Sequence, residues 1–176
     1  FSDKTGTLTQ NSMVLKEIDK PLIEIGESFN ITSTIGNGGK ENSTNLKSLE
    51  ILPQNGDDNG SSYSGSYEYK IISGATGQRF FYTTNSIDNI GITKDKYGKD
   101  TIKDVNIAND SKWHEVSVGD TLPSNATAFA TYLPELEVNK NAKYVIQVTP
   151  VNNKEYDKYV FSFTLTSDNL GDTAIK

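Results

Sequence analysis

Wherever this chain is apolar, it alternates with period two. Within residues 27–35, Phe29, Ile31 and Ile35 fall on one face and Asn30, Thr32 and Thr34 on the other, the pattern of a strand with one side buried and one side wet. Tyr67, Tyr69 and Ile71 alternate with Glu68 and Lys70, and Tyr144, Ile146 and Val148 with Val145, Gln147 and Thr149. Tyr159, Phe161, Phe163 and Leu165 alternate with Val160, Ser162 and Thr164. Apolar stripes at helical spacing are nearly absent. Further strands are expected over residues 13–18, 46–52, 79–84, 113–118 and 127–133. Such strands, separated by stretches rich in Gly, Asn, Asp and Ser and without intervening helices, specify an all-β fold: an antiparallel Ig-like β-sandwich with long loops. The strands over 144–149 and 159–165 are expected to pair as a hairpin, joined through Asn152, Asn153 and Lys154, which tolerate turn dihedrals. Residues 85–112 make too long a span for a structureless loop and should contain a short helix or an extra strand. Tyr144 is expected in the core, its hydroxyl bonded at a corner.

The chain has 176 residues, enough for one domain and too few for two well-filled cores. Residues 1–12 read as an extended lead-in strand or linker and residues 13–176 as a single sandwich domain. The 9 tyrosines and 7 phenylalanines supply bulk for that core, although only 34% of residues are hydrophobic. The net charge is -6, and Arg79 is the sole arginine, so a phosphate-gripping surface is hard to build and nucleic acid is excluded as a partner. With no cysteine and one histidine, thiol chemistry and the usual zinc sites are excluded too. No apolar run approaches the ~18 residues of a membrane span. The opening residues lack the charged head and apolar stretch of a signal peptide, so the chain reads as a soluble segment of a larger protein with no membrane insertion of its own.

The opening FSDKTGTLTQN resembles the phosphorylation signature of P-type ATPases. That resemblance implies Asp3 as phospho-acceptor, with Lys4 and Thr5 contacting the phosphate and Mg²⁺ supplied by later motifs. Those partners belong to a parallel α/β sheet, whereas everything downstream here reads as antiparallel β. Gly119-Asp120 and Gly171-Asp172 lack the flanking residues of the magnesium motif. A dozen residues without their context read as coincidence, and a phosphoryl-transfer fragment is the alternative.

Most of the remaining chain resembles modules of Gram-positive cell-surface and pilin-related proteins, adhesin-like Ig-type domains that often form internal isopeptide bonds. The resemblance rests on residues 14–39 (VLKEIDKPLIEIGESFNITSTIGNGG), residues 51–69 (ILPQNGDDNGSSYSGSYEY), and three later blocks in the same order: FFYTTN, LPSNATAF, and VTPVNN leading to DKYVFSF. The closing DTAIK resembles a junction with a following module. The likeness implies a non-catalytic stalk or adhesive domain held outside the cell, attached to the wall through other parts of the parent chain. Its partners would be neighbouring modules and a host matrix protein or glycan. It also implies a lysine on the first strand condensing with an Asn on the last, promoted by a buried acid. Lys16 matches the donor. The acceptor phrase reads Tyr159-Val160-Phe161 and contains no Asn, so Phe161 is expected where the amide would be, and Lys16 is expected to be a solvated strand residue.

Lesser candidates remain. Asp57, Asp58 and Asn59, with Asn55, lie in a Gly-rich loop that could offer oxygen ligands to Ca²⁺, although the spacing is not that of an EF-hand and a plain turn explains them as well. His114, between Trp113 and Glu115, is expected at the surface. Tyr63 could contact a glycan or a protein from its loop. A carbohydrate-binding module would need a platform of exposed aromatics, and Trp113 is the only tryptophan.

Overall fold

The structure, a computed structural model, describes residues 3–8, 12–20, 22–94, 98 and 100–168. These residues contain no α-helix, one 3-10 turn at Ile87–Asn89, and strands β1 (Asp3–Leu8), β2 (Ser12–Ile18), β3 (Phe29–Asn37), β4 (Ser43–Ile51), β5 (Ser66–Ser73), β6 (Arg79–Thr83), β7 (Thr93–Lys94), β8 (Asp100–Thr101), β9 (His114–Val116), β10 (Ala128–Leu136), β11 (Asn141–Val151) and β12 (Ser162–Thr166). Two antiparallel five-stranded sheets form the sandwich, one in the order β1-β2-β3-β11-β5 and the other β12-β4-β10-β6-β9. The alternating rows face one another across the interior. Phe29, Ile31 and Ile35 of β3 and Tyr144, Ile146 and Val148 of β11 are all under 9% exposed and pack against Phe80, Phe129 and Leu133 of the opposite sheet.

The second sheet is buried on both faces. Leu49, Phe81, Ala128 and Ala130 point away from the interior and are covered by the excursion between β6 and β10, which contributes Ile90, Ile102, Val105, Ile107 and Trp113 to a second core. Consecutive apolar residues such as Phe80-Phe81 and Ala128-Phe129-Ala130 are the sequence trace of this two-sided burial. The excursion holds the expected irregular structure, the 3-10 turn and the β7-β8 ribbon. Trp113 is not part of a strand; it is 5% exposed in the outer core, and only His114–Val116 pair with β6.

The expected hairpin between the last two strands does not form. β11 lies between β3 and β5 in the first sheet, while β12 pairs with β4 in the second. Alternation reports which face of a strand is buried and says nothing about its neighbour, so two strands with equally apolar faces can sit in opposite sheets. Residues 152–161 carry the chain across, and Tyr159 falls in this crossing instead of in the strand. Gly65, at φ +69°, is required where the chain turns into β5, because a Cβ there would lie 2.1 Å from the Val151 carbonyl oxygen.

Strand directions fix where the described chain enters and leaves. β1 folds back on β2 as an edge strand, with Asp3 opposite Ile18. It starts at the pole where β3 begins at Phe29 and β4 ends at Ile51. β12 runs antiparallel to β4, from beside Ile51 to the start of β4, where the Asp168 amide donates to the Thr44 carbonyl at 3.0 Å. Entry and exit therefore lie at opposite poles. Asp3 sits in an antiparallel edge strand, without the parallel α/β surround that the phosphorylation signature requires; the flanking residues of that motif and the closing DTAIK lie outside the described residues.

Candidate functional site

In β2, Lys16 is paired in register with Ser33 of β3, and Ser33 with Tyr144 of β11, so the three share the inner face of the first sheet. In β4 the inward residues are Leu46, Ser48 and Glu50, continued by Leu52 just past its end, an apolar row in which a serine and a carboxylate replace two members. The sheets bring the two rows together. Lys16 Nζ lies 3.4 Å from Glu50 Oε1, and the Tyr69 hydroxyl of β5 donates to Glu50 Oε2 at 2.7 Å. The Lys16 side chain is 14% exposed and that of Glu50 2%, so the pair is out of reach of most solvent screening.

Phe163 closes the site. Its ring centroid is 4.0 Å from Lys16 Nζ, and in the β12–β4 ladder it stands directly opposite Glu50. Phe163, not Phe161, therefore fills the place where the resemblance puts an acceptor amide. The shift of two residues keeps the same face, which is why alternation could not reveal it. Phe161 packs instead near the rings of Tyr67 and Tyr69. Nor is Lys16 a solvated strand residue, because the neighbour in front of it is a second sheet and not water.

The electrostatics follow from enclosure. Burial pulls the Lys16 ammonium below its ordinary pKa, and the Glu50 charge and hydrogen bond only partly restore it. Burial, reinforced by the Glu50 charge, pushes the Tyr69 phenol well above its usual range. The Tyr144 phenol is raised by the same two causes, against a smaller pull from the Ser33 and Ser48 hydroxyls. Tyr144 is fully buried as expected, but its hydroxyl and Ser33 Oγ have no aligned hydrogen-bond partner, so the predicted corner bond is absent. A buried amine, a carboxyl and a phenol thus meet in one water-poor chamber. Glu50 was missed in the sequence reading, and the signal was present: a charged residue at the apolar phase of Leu46, Ser48 and Leu52.

The other candidates are placed apart from this chamber. Asp57 organises its own loop: Oδ2 accepts the Gln54 amide at 2.9 Å, and Oδ1 accepts the Asn59 and Ser61 amides at 3.1 and 2.9 Å. Although partial burial opposes it, these donors together hold the Asp57 carboxyl below its usual range. Asp58 and Asn59 are exposed, and Asn55 Oδ1 accepts the Tyr63 amide. Among the described residues, no three acidic or imidazole groups converge as a metal site would require. Tyr63 turns inward, stacking on Tyr159 at 4.7 Å and donating to the Pro53 carbonyl. His114 is exposed beside the Tyr82 ring. Asn153 accepts the Gly26 amide at one pole, and Asn152 is exposed at φ +57°.

At that pole, residues 22–28 and 152–161 frame an apolar groove of about 700 Å³, floored by Ile18, Phe29 and Phe161. Leu22, Ile25 and Tyr156 stand on its rim, 85%, 73% and 92% exposed.

No protein-family description matches this chain, and no curated protein does. Among solved structures, a chain described under "AvmM Catalyzes Macrocyclization in Alchivemycin A Biosynthesis" is similar over 95% of this chain and 86% of its own length, at 10% identity and a TM-score of 0.29. A likeness of that size carries no conclusion about fold or activity.

Proposed function

We propose that this chain is a non-catalytic module of a bacterial surface protein, a stalk or adhesive domain displayed outside the cell and connected in series with neighbouring modules. The observation that carries this reading is the Lys16–Glu50 pair, which ties β2, next to the entry strand, to β4, the strand that hydrogen-bonds the exit strand β12. With entry and exit at opposite poles, a pull along the chain is borne by the sandwich, and a polar tie buried between the sheets opposes their sliding. The five sequence blocks that resemble surface modules support the same assignment. A host matrix protein or a glycan is the partner class for an adhesive role.

The test is surface display combined with force. Antibodies raised against the module should label intact cells of the source organism, and tandem copies pulled end to end should unfold one at a time in sharp, separate events. Labelling only after cell lysis, or extension without discrete events, would overturn the reading.

A further inference from the structure

We propose that the groove at the entry pole is the seat of this chain's own first residues, with the Phe1 ring lodged against Ile18, Ile23 and the stem of Lys20. This goes beyond the stalk reading and does not depend on it. The starting point is a difference between the two ends of the main core. At the exit pole Ile35, Leu46, Leu136 and Ala142 close the interior, each 6% exposed or less. At the entry pole Ile18, Ile23 and Phe161 pack against the same core yet stay partly exposed along the groove. The core is sealed at one end and open at the other, so an apolar side chain that covers the open end is stabilised by its own burial.

The β1–β2 ladder decides which residue reaches that opening. Asp3 stands opposite Ile18, Lys4 opposite Glu17 and Thr5 opposite Lys16. Beyond Ile18 the line of β2 continues, because the Asp19 amide donates to the Asn30 carbonyl at 3.1 Å. Phe1 and Ser2 precede Asp3 in the sequence. The same register sets Phe1 opposite Lys20, about 7 Å along the strand from Asp3. Residues directly across an antiparallel ladder share a face. Lys20 and Ile18, two positions apart, both line the groove. The register therefore delivers a phenyl ring, and not the Ser2 hydroxyl, to the apolar side.

Charge does not oppose this seat. The Lys20 ammonium lies 3.3 Å from a Glu27 carboxylate oxygen, and the methylene stem behind it offers the ring an apolar wall. One ring fills only part of a groove of about 700 Å³. Tyr156, 92% exposed on the rim formed by the other loop, stays outside the seat. The consequence is a clamped entry: the start of β1 is held both by its ladder and by a side chain wedged at the mouth of the interior.

The experiment is NMR on the purified 176-residue chain with labelled isoleucine methyls and phenylalanine rings. Ring-to-methyl Overhauser contacts that vanish in Phe1→Ser should reach Ile18 and Ile23. The same variant should speed amide exchange across residues 4–8 about tenfold, the weight of one partly buried side chain. Phe1→Leu should restore most of that protection, and Tyr156→Ser should change neither readout. Wild-type spectra with no Phe1 contact to either methyl overturn the proposal, as does unchanged exchange in Phe1→Ser. So do contacts found only between differently labelled copies in a mixed sample, which would make the groove an interface with a second copy. Each of these failures leaves the stalk reading standing.

Discussion

Among the described residues, Lys16 on the inner face of the first sheet and Lys47 on the outer face of the second are both largely buried, and they are held in different ways. Lys16 reaches into the interior and meets a carboxylate, a phenol and an aromatic face. Lys47, on the outer face of β4, is 8% exposed and donates to the Lys103 and Val105 carbonyls at 3.0 and 2.5 Å, fastening the excursion to the sheet. Burial lowers the pKa of both. Backbone carbonyls satisfy an ammonium without a second charge to desolvate, so the outer lysine is a local anchor. The inner one commits two elements of different sheets and two ionisable groups to one chamber.

The sharpest way to break this contrast is to remove one member of the inner pair. Glu50→Ala strands a buried amine and leaves the Tyr69 hydroxyl without its acceptor, and should cost about 3–5 kcal/mol, a large share of the ~5–15 kcal/mol of an ordinary domain. Urea unfolding measures it, and amide exchange should speed up in both sheets. An effect under ~1 kcal/mol would place the pair in water, against the burial seen here.

Lys47→Met is the matching change on the outer face. It leaves two carbonyls unpaired and should cost about 1–3 kcal/mol, with faster exchange confined to residues around 102–107. Global loosening would show that the outer layer and the sandwich are a single cooperative unit. The same variant gives a pH test. A lysine whose folded pKa lies below the unfolded value of 10.5 binds fewer protons when folded, so the stability difference between wild type and Lys47→Met should grow as pH rises toward 10.5. A difference that shrinks over that window reverses the sign of the assignment.

The inner chamber has the opposite alkaline signature. Tyr69 and Tyr144 keep their protons above the ordinary phenol range, and Tyr159 nearby is raised to about 12 by burial and the neighbouring Asp157 charge. Unfolded tyrosines lose protons near 10, so stability should fall as pH climbs beyond that point, and ultraviolet tyrosinate absorbance should lag behind that of the urea-unfolded chain. Coincident titration curves would open the chamber to solvent. The smallest effect belongs to the surface: Arg79→Ala removes a bidentate contact to Glu115 between groups 40% and 47% exposed and should change stability by only ~0.2–1 kcal/mol.

The legible part of this site was Lys16, through its strand and its resemblance to a donor. Glu50 was legible in principle, as the charged member of an inward row, and was overlooked because the adjacent Leu49 and Ile51 disguise that row. They are apolar because the excursion covers the outer face of β4, so the two-sided burial that hid the carboxylate is itself a tertiary effect. Tyr69 and Phe163 were visible only as core aromatics.

The sequence by itself determined the class of fold and the inward residues of most strands, because period-two burial is a local property of an extended chain and each strand carries its own record of it. The tertiary structure alone decided that β11 and β12 belong to different sheets and that Phe163, two residues beyond the place expected, stands over the lysine. It also joined Lys16 to a carboxylate 34 positions away, and that carboxylate to a phenol 19 positions further on. Strand partners and cross-sheet contacts depend on how the rows are stacked, and many stackings satisfy the same alternation until every row must be buried at once.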